Sequence, residues 1–338
     1  MPGLTQDPTL SDEEDYELDD TSSEEEQVPL PQADAAEIEE IRTEEFPSYF
    51  IERDGMLFHS VPTAPYPLPV EGHEQQRLNS MHKMLQRLLQ GNYVGPVPDV
   101  LAENPDAQVL DLGTGTGKWV LAMARQFRQV QFIGVDIVPI ATTYPPRNVR
   151  FEMHDINEHL RWADGTFDLI HARDISMAIR NWPVMVREVA RLLRSNGLFI
   201  SCEWVLTPTT LLNVDLQVYA PAAVQFANVV FSALSHRGVI PVGRNMRLFL
   251  EQSQQFYEIT VDTRHVPIGG NTEDETLNEI GHKNSVMWQR FTRSVTPLLR
   301  GFGLTEYQVG QLVAGYQQEL DSVEGLAYDY QITYARKI

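Results

Sequence analysis

The sequence contains little cysteine, little positive charge and no long uninterrupted hydrophobic run. Cys202 is the only cysteine in 338 residues, so no intrachain disulfide can form and the oxidising secretory route gains no support. The 26 Lys and Arg residues against 47 Asp and Glu leave no basic excess to neutralise phosphates, which disfavours direct binding to nucleic acid. The most apolar stretch, residues 218–234, includes Pro221, Gln225 and Asn228 and is too short to cross a bilayer, so we expect no membrane partner.

Targeting signals are also missing from the sequence. The opening segment MPGLTQDPTLSDEED has neither a basic region nor an apolar core of the kind that a signal peptide needs. No run of five or more Lys and Arg residues is present that would act as a nuclear import signal. We therefore expect a soluble, cytoplasmic protein that enters the nucleus only with a partner or by slow diffusion.

Negative charge is concentrated at the N-terminus. Seventeen of the 47 acidic residues lie in residues 1–45, where Arg42 is the only base, and the rest of the chain has 30 acids and 25 bases. Residues 1–44 have too few apolar side chains to offset the entropy of ordering, so the sequence predicts a disordered acidic tail. We expect a truncated protein that begins near Thr43 to keep its melting temperature.

A change of pattern after residue 44 predicts an N-terminal extension over residues 45–98. The segment YFIERDGMLFHS alternates on both sides of Asp54-Gly55, which predicts a β-hairpin with a tight turn. A helix is predicted from residue 74 to residue 89 because apolar side chains recur on one face, namely at Leu78, Met81, Leu85 and Leu88.

Residues 99–338 alternate between short apolar runs and helical patterns. Buried parallel strands have this continuous apolar character, so the sequence predicts an α/β fold with a Rossmann-like, doubly wound sheet. The predicted strands are residues 109–112, 132–137, 149–156, 167–173 and 197–204. Helices are predicted at residues 117–127 and 183–193.

Residues 207–322 are predicted to form a helical insert that serves as a substrate wall and lid. Its aromatic side chains fit either that wall or an ordinary core; they include Tyr219, Phe226, Phe231, Trp288 and Phe291. Three histidines there are candidates for a general base, namely His236, His265 and His282. No spacing typical of metal ligands is present, so we predict no metal site.

The loop VLDLGTGTGKW separates the first predicted strand from the following helix. Asp111 precedes Gly113, Gly115 and Gly117, and such a loop brings bare backbone close to a ligand at the carboxyl ends of the strands. Dinucleotides prefer G-x-G-x-x-G, but Lys118 stands where the last glycine would fall. Asp111 would repel a pyrophosphate and attract an ammonium group, which favours S-adenosylmethionine and makes a dinucleotide-binding oxidoreductase the least favoured function.

Side chains at the ends of the next predicted strands are placed to contact the ribose and the adenine of S-adenosylmethionine. Asp136 ends the second predicted strand, 25 residues after Asp111, where a carboxylate can accept hydrogen bonds from both ribose hydroxyls. Asp155 is placed to accept the adenine amino group, and Ile137 and Ile156 are placed to pack on the faces of the ring.

Two polar side chains end the fourth predicted strand, beside the expected position of the transferred methyl group. His171 and Arg173 either orient a substrate or form a hydrogen-bonded pair at the strand end. Arg173 is also predicted to contact the cofactor. Trp119 is predicted to pack the first helix against the sheet. No side chain is assigned a catalytic role.

These segments resemble class I S-adenosylmethionine-dependent methyltransferases, and more closely the fungal LaeA-like group. The similarity covers about residues 46–206 and 326–337, where the closing segment AYDYQITYARK looks like the last strand of that group. Further matching segments are VLDLGTGTGKW, IGVDIVPI, PPRNVRFEMHDI, FDLIHARD and NWPVMVREVARLLRSNG. The resemblance implies cofactor contacts at Asp111, Gly113, Gly115, Gly117, Asp136 and Asp155.

The resemblance leaves two functions open. The first is methylation of a small metabolite, which the apolar insert favours. The second is regulation of secondary metabolism through protein partners or through methylation of a protein.

Overall fold

A mixed β-sheet with helices on both faces organises the chain. The computed structural model describes residues 39–102, 104–270 and 274–338, so most of the predicted acidic tail lies outside the described residues. Residues 43–338 form one compact unit. The α/β class predicted from the sequence is confirmed.

The N-terminal extension begins with a 3-10 helix, Thr43–Tyr49, followed by the predicted hairpin. Strands β1 (Phe50–Arg53) and β2 (Met56–His59) pair antiparallel around Asp54 and Gly55, both of which have positive φ. Helix α1 (Gly72–Leu89) then begins two residues before the predicted start.

The strands of the central sheet are β3 (Gln108–Leu112), β4 (Gln131–Asp136), β5 (Val149–Met153), β6 (Phe167–Arg173), β7 (Leu193–Trp204), β8 (Thr209–Thr210), β9 (Phe256–Pro267) and β10 (Leu326–Lys337). Their order is β5-β4-β3-β6-β7-β10, with β9 on the other edge of β10 and the short β8 paired with the start of β10. Strands β3 to β7 run parallel, whereas β10 is antiparallel to each of its three partners.

Helices cover the sheet on both faces because successive strand residues point to opposite sides. The helices after α1 are α2 (Val97–Leu101), α3 (Lys118–Gln126), α4 (Trp182–Leu192), α5 (Leu216–Tyr219), α6 (Pro221–His236), α7 (Met246–Ser253), α8 (Glu275–Gly301) and α9 (Glu306–Ser322). Val109 of β3 belongs to one hydrophobic cluster, with α1, α3, α6, α8 and α9, whereas Leu110 belongs to a second cluster with α4 and α7.

The structure adds two strands to the predicted helical insert over residues 207–322, the short β8 and the long β9. Strand β9 lies at the edge of the sheet and, among the described residues, pairs only with β10. Its residues are mostly half-buried or exposed and include Glu258, Asp262 and Arg264, so it lacks the continuous apolar run that signals an inner strand. Charged side chains of this kind are typical of an edge strand.

Helix α4 and strand β7 join without an intervening loop. Asn196 and Gly197, shortly after the helix predicted at residues 183–193, lie inside β7, where the pairing with β6 is irregular and Asn196 has φ +64°. Helix α4 itself ends at Leu192. Cys202, near the end of β7, is buried, and burial raises the pKa of its thiol.

No helix in the described parts of the chain is both long enough and apolar enough to span a membrane. The same residues contain no cluster of three or more His, Cys, Asp or Glu side chains that could hold a metal ion.

Candidate cofactor site

Two of the three loop glycines are required by packing. A Cβ atom at Gly113 would lie 2.6 Å from Cγ2 of Ile175, and one at Gly117 would lie 2.5 Å from Cζ of Phe151. Both distances are far below a normal carbon–carbon contact. Gly117 is also the residue that precedes α3, with φ +73°, and it does not line the cleft described below.

Gly115 differs from the other two because the space beside it is open. It has φ +55°, and the only atom within 4 Å of a Cβ built there is Cδ1 of Leu78, at 3.7 Å. Thus a side chain at this position would meet no protein wall and would extend into the cleft. This is the glycine whose backbone a ligand can approach closely.

The cleft lies at the carboxyl ends of β3, β4, β5 and β6 and has a volume of about 1030 Å³ including its open mouth. The predicted contact residues that line it are Asp111, Gly113, Gly115, Asp136, Ile137, Asp155, Ile156 and Arg173. The N-terminal extension forms a further wall of the cleft, which was not predicted from the sequence. Its residues there are Tyr66, Glu74, Leu78 and Met81.

A buried ion pair fixes α1 over the cleft. Glu74 is 2% exposed, and its carboxylate accepts hydrogen bonds from Nε of Arg77 at 2.9 and 3.0 Å and from Oγ of Ser294 in α8 at 2.5 Å. Because Ser294 is 220 residues away along the chain, this contact joins the extension to the C-terminal helices.

Asp136 ties the glycine loop to the end of β4. Its Oδ2 accepts a hydrogen bond of 2.8 Å from the amide of Gly115, and its Oδ1 accepts one of 3.3 Å from the amide of Val138. Burial raises the pKa of Asp136 to about 6, although these amides favour the charged form. The carboxylate is therefore ionised at neutral pH and becomes protonated in mild acid.

Asp111 is more enclosed than the sequence suggested. Its Oδ1 lies 2.7 Å from Nδ1 of His171, and its Oδ2 accepts a 2.7 Å hydrogen bond from Oγ1 of Thr114. Burial lowers the pKa of His171 even though Asp111 favours its charged form, so the neutral ring donates from Nδ1. Trp119 stacks on that ring, with centroids 3.6 Å apart. Hence His171 is a hydrogen-bonded strand-end residue, and Trp119 packs α3 as predicted.

Arg173 and Asp155 also have local partners. Nη1 of Arg173 lies 3.2 Å from Nδ1 of His82, whose pKa is lowered to about 3 by burial and then by the charge of Arg173. The neutral His82 therefore accepts this hydrogen bond. Oδ1 of Asp155 accepts two hydrogen bonds of 2.9 Å from the backbone and side-chain amides of Asn157.

A second cavity, which we call the inner chamber, adjoins the cleft and has a volume of about 520 Å³ including its open mouth. Four residues line both cavities, namely Tyr66, Leu78, Met81 and Asp174. The inner chamber is otherwise bounded mainly by Arg77, Glu203, Trp204, Met287, Trp288 and Phe291. Of the predicted aromatic wall, Trp288 and Phe291 therefore line a cavity, whereas Phe226 stacks on Tyr316 in the core and Phe231 is 45% exposed.

The three candidate histidines of residues 207–322 line neither cavity. His236 packs against Phe302, and Nδ1 of His265 lies 2.6 Å from Asp329. His282 packs against Gly270. None of the three is therefore placed to serve as a general base.

The chemistry of the cleft fits S-adenosylmethionine. Its walls carry the carboxylates of Asp111, Asp136 and Asp155, and Arg173 is the only Lys or Arg among the described residues that line it. A pyrophosphate would face this acidic wall, whereas a molecule with ammonium and sulfonium groups is attracted to it. Open space beside Gly115 provides the close backbone approach that the amino-acid end requires.

Comparisons with known proteins agree with this chemistry. A family model described as a methyltransferase domain matches residues 103–259. The secondary metabolism regulator laeA of Coprinopsis cinerea is 34% identical over 44% of this chain, but the matched region covers only 37% of that protein. The laeA protein of Aspergillus fumigatus is 27% identical, with 86% of this chain and 77% of the relative covered. Methyltransferase pytC of Aspergillus terreus is 26% identical, with 84% and 87% covered.

The fold, the glycine loop and these relatives together indicate an S-adenosylmethionine-dependent methyltransferase. The chain is similar to the LaeA-like group of the class I enzymes, and the methyltransferase family model matches slightly less than half of it. The resemblance noted from the sequence is confirmed, and a dinucleotide-binding oxidoreductase is set aside.

Proposed function

We propose that the protein transfers the methyl group of S-adenosylmethionine to a small molecule held in the inner chamber. The observation that carries this proposal is the shared wall of the two cavities, formed by Tyr66, Leu78, Met81 and Asp174. A cofactor in the cleft would present its methyl group to an acceptor in the chamber across that boundary. The apolar and aromatic chamber walls suit a compact organic molecule.

Each part of the cofactor has a proposed contact in the cleft. The carboxylate of Asp136 accepts hydrogen bonds from the ribose hydroxyls, and Asp155 accepts one from the adenine amino group. Ile137 and Ile156 pack on the ring. The amino-acid end lies along Gly115, next to Asp111 and Arg173. Bound in this way, the cofactor supplies a methyl group on a good leaving group, so the protein acts mainly by alignment and by excluding water.

The methyl acceptor can be identified by transfer of a labelled methyl group. Purified protein is incubated with methyl-labelled S-adenosylmethionine and a cell extract, and the low-molecular-mass and protein fractions are analysed separately by mass spectrometry. We expect label in the low-molecular-mass fraction, and none with a Gly115→Val variant as the control. Label that enters only the protein fraction would contradict a small-molecule acceptor.

A regulatory role through protein partners is the second candidate. Several relatives are named as regulators of secondary metabolism. This chain also has exposed apolar side chains close together in sequence before α6, at Leu211, Leu212, Val214 and Val218, of which Val218 is 81% exposed. Exposed apolar patches are often sites of protein contact. Label restricted to the protein fraction in the experiment above would favour this function.

We further propose that the chain lies mainly in the cytoplasm and enters the nucleus with a partner. The support is the absence of a run of five or more Lys and Arg residues from the sequence. A fluorescently tagged chain expressed without its native partners should give a mainly cytoplasmic signal. Strong nuclear accumulation under those conditions would contradict the proposal.

A further inference from the structure

We propose that Asp174 is the general base of the methyl transfer and that the acceptor is a planar hydroxylated molecule, such as a phenol or an enol. The inference rests on the proposed function, since it names the acceptor class of the same site. It is carried by the position of Asp174, by its free oxygens and by the walls of the inner chamber.

Asp174 lies where the two cavities meet. It directly follows β6 and lines both the cleft and the inner chamber. Both of its carboxylate oxygens are buried, and among the described residues neither accepts a hydrogen bond of regular geometry, although the amide of Trp204 is near enough to favour the charged form. A buried acceptor without a partner costs free energy, so such a group is expected where a ligand completes its hydrogen bonds.

The neighbouring acid, Glu203, is by contrast already occupied. It accepts hydrogen bonds from the amides of Ile175 and Ser176 at 3.1 Å and from the hydroxyl of Ser176 at 2.8 Å. Its role is therefore to hold the segment that follows Asp174. Of the two acids that line the inner chamber, only Asp174 has free acceptor oxygens.

The backbone of Asp174 has an uncommon conformation. Its φ is +57°, in the left-handed region that residues other than Gly, Asn and Asp rarely adopt. A conformation of this kind is kept where the surrounding structure fixes a residue in place, and it is frequent at active sites. Asn tolerates the same conformation, so Asp174→Asn removes the charge and the basicity without adding backbone strain.

The acidity of Asp174 suits a base at neutral pH. Burial raises its pKa to about 6, although the charges of Arg173 and Arg77 and the amide of Trp204 favour the carboxylate. The carboxylate is therefore more basic than that of an exposed Asp. Besides the two arginines, the titratable groups whose charges interact with it are Glu203, Tyr66, Cys202 and Tyr330.

The charge balance of the chamber favours a neutral acceptor over an ammonium ion. Arg77 is paired with Glu74, and the charge of Arg173 offsets that of Asp174. Burial and the charge of Asp174 raise the pKa of Glu203, so the two neighbouring acids together carry less than two full negative charges near neutral pH. No excess negative charge remains to hold a cation.

The shape of the walls indicates a flat molecule. The indole rings of Trp204 and Trp288 lie 5.7 Å apart in an edge-to-face arrangement, and Phe291 packs edge-to-face against Trp288 at 5.4 Å. All three rings line the chamber, and flat apolar ligands pack well on such surfaces.

In the proposed step, the acceptor hydroxyl gives its proton to an oxygen of Asp174 while the oxygen of the acceptor forms a bond to the methyl carbon. The bond between that carbon and sulfur breaks, and its electron pair stays on sulfur, which becomes a neutral thioether. The products are a methyl ether, S-adenosylhomocysteine and a protonated Asp174. The carboxyl group then releases its proton to solvent, so atoms and charge balance.

The test uses the whole protein with two planar probes, 1-naphthol and 7-hydroxycoumarin, and with 2-phenylethylamine as a cationic probe. Product formation from labelled S-adenosylmethionine is measured by mass spectrometry, and cofactor affinity by calorimetry. We expect both hydroxylated probes, but not the amine, to be methylated. Asp174→Asn should lower the rate by about a hundredfold or more, with cofactor affinity changed less than about threefold. Asp164→Asn, at a side chain that is 83% exposed, is the matched control and should change neither quantity.

A second readout does not depend on turnover. With S-adenosylhomocysteine bound, the affinity of 1-naphthol should fall several-fold between about pH 7.5 and about pH 5, because a protonated Asp174 loses the charge-assisted hydrogen bond. In Asp174→Asn that pH dependence should disappear. Retained methylation in this variant, or wild-type protein that binds the cofactor but neither binds nor methylates the hydroxylated probes, would overturn the inference. Wild-type protein that fails to bind S-adenosylmethionine would instead overturn the proposed function itself.

Discussion

Replacing Gly115 with valine is expected to abolish S-adenosylmethionine binding while the protein stays folded. The valine side chain would extend into the cleft, because only Cδ1 of Leu78 lies within 4 Å of a Cβ built at this position. It would thus occupy the space through which the backbone approaches the ligand. We expect the dissociation constant to rise by more than about a hundredfold, or roughly 3 kcal/mol, as measured by calorimetric titration.

Substitutions at two other glycines distinguish the exclusion of the ligand from the effects of backbone strain and of collisions within the protein. Gly238 has φ +76° with nothing within 4 Å of a built Cβ, so Gly238→Val carries a comparable strain outside the cleft and should leave cofactor affinity unchanged. Gly117→Ala should lower the melting temperature, because its Cβ would collide with Phe151. If folded Gly115→Val protein binds the cofactor as tightly as the wild type, the assigned position of the ligand is wrong.

Replacing Asp136 with alanine should weaken S-adenosylmethionine binding by about ten- to a hundredfold. The expected loss corresponds to charge-assisted hydrogen bonds worth roughly 1.5 to 3 kcal/mol. The substitution also removes the acceptor for the Gly115 amide, which the carboxylate binds at 2.8 Å. Calorimetry on the folded variant gives the affinity directly.

Asp136→Asn separates these two effects. The asparagine oxygen can still accept from the Gly115 amide, so a loss limited to the ribose contacts should be smaller than that of the alanine variant. Because burial raises the pKa of Asp136 to about 6, wild-type affinity should also decline as the pH falls through that value. The alanine variant has no carboxylate at position 136, so its affinity should not show this decline. If the wild type and both variants bind the cofactor with equal affinity, Asp136 does not contact the cofactor.

The parallel part of the fold could be predicted because its signals are local. The strand that ends at Arg173 was predicted with its observed bounds, and the strands that end at Leu112 and Asp136 differ by one residue at one or both ends. The strand predicted at residues 149–156 ends three residues early, at Met153, because the following residues form the loop at Asp155. Continuous apolar runs bounded by polar residues carry this information within a few positions.

The walls of the site could not be predicted because they depend on distant parts of the chain. Glu74 faces the cleft from α1, where its contact with Ser294 places it, and an acid within a helix gives no sign of that in the sequence. The inner chamber joins β7 to α8 through Trp204 and Trp288, 84 positions apart in the sequence. The one signal for Asp174 was its position directly after a predicted strand, next to Arg173.

Hydrogen bonding also altered the expected role of Asp111. From the sequence it stood as a free negative charge at the loop, but its oxygens are bonded to His171 and Thr114. Such pairing depends on the register of β3 and β6, in which Asp111 and His171 are direct partners. A sequence pattern places both residues at strand ends but does not place them opposite each other.

The most direct test of the account is a calorimetric titration of S-adenosylmethionine, S-adenosylhomocysteine and NADH into the wild-type protein. A cleft with the carboxylates of Asp111, Asp136 and Asp155 and an open Gly115 predicts saturable binding of the first two with one site per chain, and no binding of NADH. Tight binding of NADH without binding of S-adenosylmethionine would contradict the account.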